Sequence, residues 1–372
     1  MKLALLSFHN AANYGAALQA YALQKCLLIR GYNCEYINYI NKHRKYSYDM
    51  SYHIVTSLIN RSFKSAIAYL CGSPFMYLRK LRFKKFYKKN LIITSKIYRS
   101  AVEASSLNTL YDKFIVGSDQ VWNLENNGND MSFLLSFVDD TKKKISYSSS
   151  FGVSSIESRF LLEYKKYLAD IKYLSTREQK GVEIIKDLIG RDATLVVDPV
   201  YLLSKENWLK LVDNSRKKEA FVFFYTNKPL QMENFLDKTK YPMNNKKIYL
   251  LARNTKIADF LSPKVRVKYT MSPTDFLTTI NDAELVVSAS FHCISLSIIL
   301  NKPFIAILVG DEGKDSRLLS ILNYLGLQHR IYRDDMTLED VMRPIDYDNV
   351  NDKIELFKKS SIEFLISSIE SN

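Results

Sequence analysis

The chain has 372 residues, 47% hydrophobic and 25% charged, an ordinary globular composition of a length that fits two domains. Its 20 Phe and 25 Tyr exclude disorder, and its four scattered cysteines (Cys26, Cys34, Cys71, Cys293) form no Cys-x-x-Cys pair, which excludes a zinc or disulfide framework. No apolar run reaches the roughly 18 residues a membrane span needs, and the first residues lack a signal-peptide core, so a soluble protein in the reducing cytoplasm is expected.

The first 40 residues read as one βαβ unit: a buried strand over 2–8, a polar loop over 9–15, a helix over 16–29 that Gly31 ends, and a strand over 34–39. Residues 42–99 follow as a basic, helical insertion divided at Gly72-Ser73-Pro74. They hold 14 Lys/Arg against one acid, Asp49, so +13 of the net +14 lies in this segment. Such a segment reads as a contact surface for something anionic.

Short strands are expected at 113–117, 144–149, 172–175 and 194–197, with helices at 158–169 and 179–189 between them. A second alternation begins after Ser204, with strands at 220–225, 247–252, 284–288 and 303–308. Its helices fall at 230–238, 273–280, 292–300 and 316–325, and a last helix covers 352–369. Strands alternating with helices imply parallel, doubly wound sheets. The fold class is therefore α/β, with two Rossmann-like domains facing a central cleft, the expected ligand site. Domain limits are placed at 1–204 and 205–345, beside the polar junction with Arg216-Lys217-Lys218, and 346–372 is expected to pack back on the first domain.

Three stretches carry candidate chemistry. In His9-Asn10-x-x-Asn13-Tyr14-Gly15, backbone N–H groups at a helix start favour anions, while Asn13 is equally a plain N-cap. Gly117-Ser118-Asp119-Gln120 ends a buried strand and presents polar groups at its edge; Asp119 suits a general base or a helix cap. Ser290-Phe291-His292-Cys293 puts His292 at a helix N-terminus, where a bound anion would favour its charged form; a neutral capping histidine is the alternative. Arg177 suits a phosphate or carboxylate clamp, or an ion pair with Glu178 or Asp198. Cys293 reads as a buried small hydrophobe, and no spacing of His, Asp or Glu suggests a metal site.

Together these stretches resemble the polysaccharide pyruvyl transferase family. The likeness rests on residues 8–24 (Phe8-His9-Asn10-Ala11-Ala12-Asn13-Tyr14-Gly15 and onward) and on Gly117-Ser118-Asp119-Gln120-Val121-Trp122-Asn123. Ser175-Thr176-Arg177-Glu178, Val197-Asp198-Pro199, Ser290-Phe291-His292 and Asn301-Lys302-Pro303-Phe304 follow in the same order, and Ser316-Arg317-Leu318-Leu319 extends it. The resemblance implies a GT-B-type fold and transfer of an enolpyruvyl-derived group from phosphoenolpyruvate to a glycan or lipid-linked saccharide, forming a ketal and phosphate with no cofactor or metal. One departure stands out. Some members have Arg-Leu-His where this chain has Ser290-Phe291-His292, so Arg317, Lys314, Lys302 or Arg253 is expected to replace the missing guanidinium.

On this reading His292 is the acid and Asp119 the base. Arg177, Ser290 and Arg317 bind the donor, while His9, Asn10, Asn13, Tyr14, Gly15, Gly117, Ser118 and Gln120 line the acceptor side. The basic segment is expected to meet an anionic membrane surface through Tyr77, Leu78, Leu81, Phe83, Phe86, Tyr87 and the intervening Lys and Arg. Two alternatives remain: a GT-B glycosyltransferase using a nucleotide sugar, and a non-catalytic basic binding protein. No RNA-recognition or helix-turn-helix signature points to nucleic acid.

Overall fold

The computed structural model describes residues 1–47, 49–215, 219–226, 229–252 and 257–371. The chain divides into two compact units, Met1–Leu202 with Phe357–Asn372, and Leu203–Leu356. The division thus falls at Leu202/Leu203 rather than at 204/205, and the last helix, Tyr347–Glu370, belongs to the first unit only from Phe357 onward. Arg216-Lys217-Lys218 and Arg253 lie outside the described residues.

In the first unit, strand β1 (Lys2–Leu6) leads into helix α1 (Tyr14–Ile29) and strand β2 (Asn33–Tyr39). Leu3, Ala4, Leu5 and Leu6 are all buried, as a central strand covered on both faces requires. Asn13 caps α1 by accepting from the Ala16 N–H, and Gly31, at φ +84°, lets the chain turn back after it. Helices α2 (Lys42–Ser47), α3 (Met50–Ile59) and α4 (Phe63–Asn90) precede β3 (Ile93–Tyr98), β4 (Lys113–Val116) and β5 (Lys144–Ser146). The sheet order is β3-β2-β1-β4-β5, every pair parallel. A two-stranded piece, β6 (Ser175–Thr176) with β7 (Thr194–Leu195), continues beyond β5 through the Ser149–Thr176 bridge. Beneath the sheet Trp122, Phe133, Phe151 and Tyr164 anchor the core. From the C-terminal helix, Ser361 accepts a hydrogen bond from the Val197 N–H, and Leu365 and Ile369 are buried.

The basic insertion differs from expectation in two ways. Gly72-Ser73-Pro74 does not divide it, because α4 runs through Pro74. Proline leaves the Leu70 carbonyl without its helical donor, and the Ser73 hydroxyl supplies one at 2.8 Å. The break comes instead between α3 and α4, where Arg61 has φ +54°. In addition, Phe83, Phe86 and Tyr87 are buried rather than outward-facing. Phe83 meets Tyr14 at 5.1 Å between ring centres and Phe86 meets Tyr21 at 6.2 Å.

The second unit repeats the topology. Strands β8 (Phe221–Thr226), β9 (Lys247–Ala252), β10 (Val265–Val267), β11 (Leu285–Ser288) and β12 (Phe304–Ala306) pair in parallel in the order β10-β9-β8-β11-β12. The helix Pro273–Asp282 opens with a capping box between Ser272 and Asp275 and leads into β11. Val222, Phe224, Phe235, Leu250 and Val287 form the core. Each unit is therefore Rossmann-like, and in each the strand order reverses at one point: between β1 and β4, and between β8 and β11.

Candidate functional site

The reversal points are where open parallel sheets bind ligands, because the connections leave in opposite directions and the C-terminal strand ends stand clear. In the first unit that place is held by Ser7, Gln19 and Ser118. Gln19, a buried amide on α1, donates to the Ser7 hydroxyl at 2.8 Å and accepts from the Ser118 N–H at 3.2 Å. Ser7 in turn donates to the Ser118 carbonyl at 3.0 Å. Gly117 makes the close approach possible: its φ is +127°, and a Cβ there would lie 2.0 Å from the Tyr147 carbonyl oxygen.

Asp119 follows at φ +76°, a region costly for a residue with a side chain and found at functional loops. Its carboxylate accepts from the Gln120 N–H at 2.8 Å, and its side chain keeps 14% of its surface exposed. Gln120 is half-buried and accepts from the Asn126 amide. A wall of buried serines stands behind the loop: the Ser118 hydroxyl lies 3.0 Å from the Ser148 carbonyl, Ser175 donates to the Ser146 carbonyl, and the Ser148 N–H donates to Ser175.

Arg177 is not an open clamp. Its side chain is fully buried and ion-paired with Asp198, with Asp119 at 3.5 Å and Glu178 at 3.8 Å. Burial works against its charge, but Asp198, Asp119 and Glu178 outweigh that and raise the guanidinium pKa. The guanidinium is thus engaged by the protein's own carboxylates. The ion-pair alternative for Arg177 is what the structure contains.

The 9–15 loop is also mostly self-engaged. His9 is wholly buried, its Nδ1 placed 3.1 Å from the Ser7 carbonyl and its ring 4.7 Å from that of Tyr36. Burial lowers its pKa to about 4, so at neutral pH it is uncharged. Asn10 donates to the Tyr39 carbonyl at 2.8 Å, Asn13 caps α1, and Tyr14 and Gly15 are buried in the first turn. The loop is held from outside by α4: Arg79 donates to the Ala12 carbonyl at 2.8 Å and lies over the Tyr14 ring at 4.6 Å, and the Tyr87 hydroxyl donates to the Ala11 carbonyl.

In the second unit, Ser288 ends β11 and donates to the Tyr225 carbonyl at 2.8 Å, tying the two strands at the reversal point. Ser290 caps the helix Phe291–Ile299 by accepting from the Cys293 N–H at 3.4 Å, which places His292 in its first turn. The positive end of the helix dipole lies there. The Arg317 guanidinium, from the helix Glu312–Leu325, sits 5.9 Å from the centre of the ring of Phe291, the residue between Ser290 and His292. Lys314 pairs with Asp311 at 2.6 Å. Burial pushes the Cys293 thiol up to about 12, which removes it as a nucleophile. Among the described residues, no group of three or more His, Cys, Asp or Glu side chains is placed to hold a metal ion.

The family profile described as polysaccharide pyruvyl transferase matches residues 13–311. The chain belongs to the polysaccharide pyruvyl transferase family. As a member it is a transferase, and the family implies a glycan acceptor. No curated protein matches the sequence. Among solved structures, it is similar to a Staphylococcus aureus MnaA–UDP complex (9% identity, 97% of this chain and 90% of that chain, TM-score 0.49). It is likewise similar to a Neisseria meningitidis UDP-GlcNAc 2-epimerase bound to UDP-GlcNAc (8% identity, 100% of each chain, TM-score 0.49). A third, the Arabidopsis thaliana UGT89C1 complex with UDP-L-rhamnose, has 10% identity over 99% of this chain and 98% of that chain, TM-score 0.42.

Several residues that build this pyruvyl transferase family member's site escape sequence reasoning. Asp198, one of two sequence candidates for pairing with Arg177, is its main partner; that it also accepts from the Ser118 hydroxyl at 3.0 Å is not legible in the sequence. Gln19 lies within the 8–24 stretch that carries the family resemblance, but its burial and its two partners are not legible there. The run Ser148-Ser149-Ser150 is legible as polar residues at a strand end, but its burial is not. Arg79, from the basic segment, holds the loop before α1.

Proposed function

We propose that the protein transfers the enolpyruvyl-derived group of phosphoenolpyruvate to two hydroxyls of a glycan, forming a pyruvate ketal and releasing phosphate, without a metal or other cofactor. The observation that carries this reading is the different chemistry of the two reversal points. In the first unit buried serine hydroxyls line the strand ends and Arg177 is tied to Asp198, beside Asp119 and Glu178, which suits a polyol. In the second, a serine-capped helix start carries His292 in its first turn, with Arg317 beside the neighbouring Phe291, which suits a phosphate and a carboxylate.

The chemistry asks for a proton on C3 of the donor, a hydroxyl oxygen bonded to C2, and then a second hydroxyl that displaces phosphate from C2 and closes the ring. One hydroxyl proton is balanced by the C3 proton, and the other leaves with phosphate. His292 supplies the acid over C3, Asp119 draws the hydroxyl proton, and Arg317 with Ser290 binds the donor in place of the arginine of other members. The acceptor is a unit of an exopolysaccharide or capsule carried on a lipid-pyrophosphate.

The test is phosphate release from phosphoenolpyruvate by the full chain, with and without glycans bearing neighbouring hydroxyls, alongside UDP-sugars. Acceptor-dependent phosphate and a ketal product support the reading. Consumption of a UDP-sugar with phosphoenolpyruvate untouched overturns it.

A further inference from the structure

The helical insertion carries a surface that the transfer reaction does not use. At about 100° per residue, Phe63, Ile67, Leu70, Tyr77 and Leu81 fall along one face of α4. Phe83, Phe86 and Tyr87, which pack on the body of the first unit, fall on the opposite face. The outer stripe is bare: Phe63, Ile67, Leu70 and Tyr77 are 60–64% exposed, and Ile59, at the end of α3, is 74% exposed. From about one turn beyond Leu81, the same side of the helix carries exposed Lys84, Lys85, Lys88 and Lys89. Helix α4 holds eight Lys/Arg and no acid.

We propose that this face of α3 and α4 docks on a bilayer containing anionic lipid, the apolar stripe entering the interface and the lysines meeting the headgroups. Charge chooses the occupant. A second copy would oppose one +13 segment with another. A nucleic-acid backbone would satisfy the lysines but leave the aliphatic stripe in water. An anionic leaflet takes both. The docking differs from the sequence expectation in its residues, since the stripe over 59–81 replaces Phe83, Phe86 and Tyr87. It also reaches the first unit's ligand end, because the far end of α4 holds the 11–14 loop through Arg79 and Tyr87. The inference is independent of the donor chemistry.

The experiment is flotation of the full chain with vesicles of phosphatidylcholine alone and of phosphatidylcholine with phosphatidylglycerol, at low and high salt. Wild type is compared with Phe63→Ser/Ile67→Ser/Leu70→Ser/Tyr77→Ser and with Lys84→Glu/Lys85→Glu/Lys88→Glu/Lys89→Glu. Melting curves check that both variants fold, and the lysine variant gives a second reading should the serine variant not. Binding to phosphatidylglycerol vesicles that salt weakens, reduced at least about tenfold in each folded variant, is expected. Wild-type indifference to phosphatidylglycerol, or variants that bind as wild type does, overturns the proposal. So does a concentration-dependent dimer lost in the serine variant without vesicle binding, which assigns the stripe to a second copy.

Discussion

Arg177 and Asp198 form an ion pair with both side chains wholly withdrawn from solvent, and the Ser118 hydroxyl bridges them, accepting from Arg177 at 3.2 Å and donating to Asp198 at 3.0 Å. Removing Arg177 strands a buried carboxylate, whereas removing Asp198 leaves Asp119 and Glu178 beside the guanidinium. Arg177→Ala should cost about 3–5 kcal/mol and Asp198→Asn less, each read as a lower urea midpoint. A stable Arg177→Ala protein with weakened phosphoenolpyruvate binding would return this arginine to the donor.

Asp119 and His292 carry the proposed proton transfers, so Asp119→Asn and His292→Gln should lower turnover by about 10²–10⁴. Neither belongs to the hydrophobic core, and melting temperatures should stay near wild type. Wild-type turnover in both variants would remove the acid–base assignment.

Arg317→Ala should raise the KM for phosphoenolpyruvate tenfold or more, since a charge-assisted contact contributes about 1.5–3 kcal/mol. Arg317→Lys keeps the charge without the planar fork and should recover part of the loss. An unchanged donor KM would leave the role to another cation.

His9 makes stability depend on pH. Its pKa falls from 6.5 unfolded to about 4 folded because burial opposes the charge, so protonation favours the unfolded chain. The stability it lends is complete above about pH 6.5 and is lost as the pH falls toward 4. From pH 7 to pH 5 the loss is about 2 kcal/mol. Urea titrations at the two pH values, in wild type and His9→Asn, measure it; an equal loss in both proteins would show that other groups are responsible.

Local signals made much of the architecture readable. The strand over 2–8, the Asn13 cap and the Gly31 stop depend on neighbours in sequence, and they stand as β1, the start of α1 and its end. Pro74 misled because its local effect is offset by the hydroxyl of its neighbour Ser73, which no propensity contains.

By itself the sequence determined the α/β alternation, the family, and the strand-end stretches that bring Ser118, Asp119, Ser290 and His292 to the reversal points, since these follow from periodicity and short motifs. Only the tertiary structure decided which polar side chains face one another. Arg177 became a buried counter-ion because residues 118, 119, 178 and 198 converge on it from the ends of three strands, β4, β6 and β7. His9 became a neutral core residue because the loop folds over it and under Arg79 and Tyr87 of a helix far along the chain. Burial and charge pairing are sums over such distant neighbours, and a linear reading carries no distance between them.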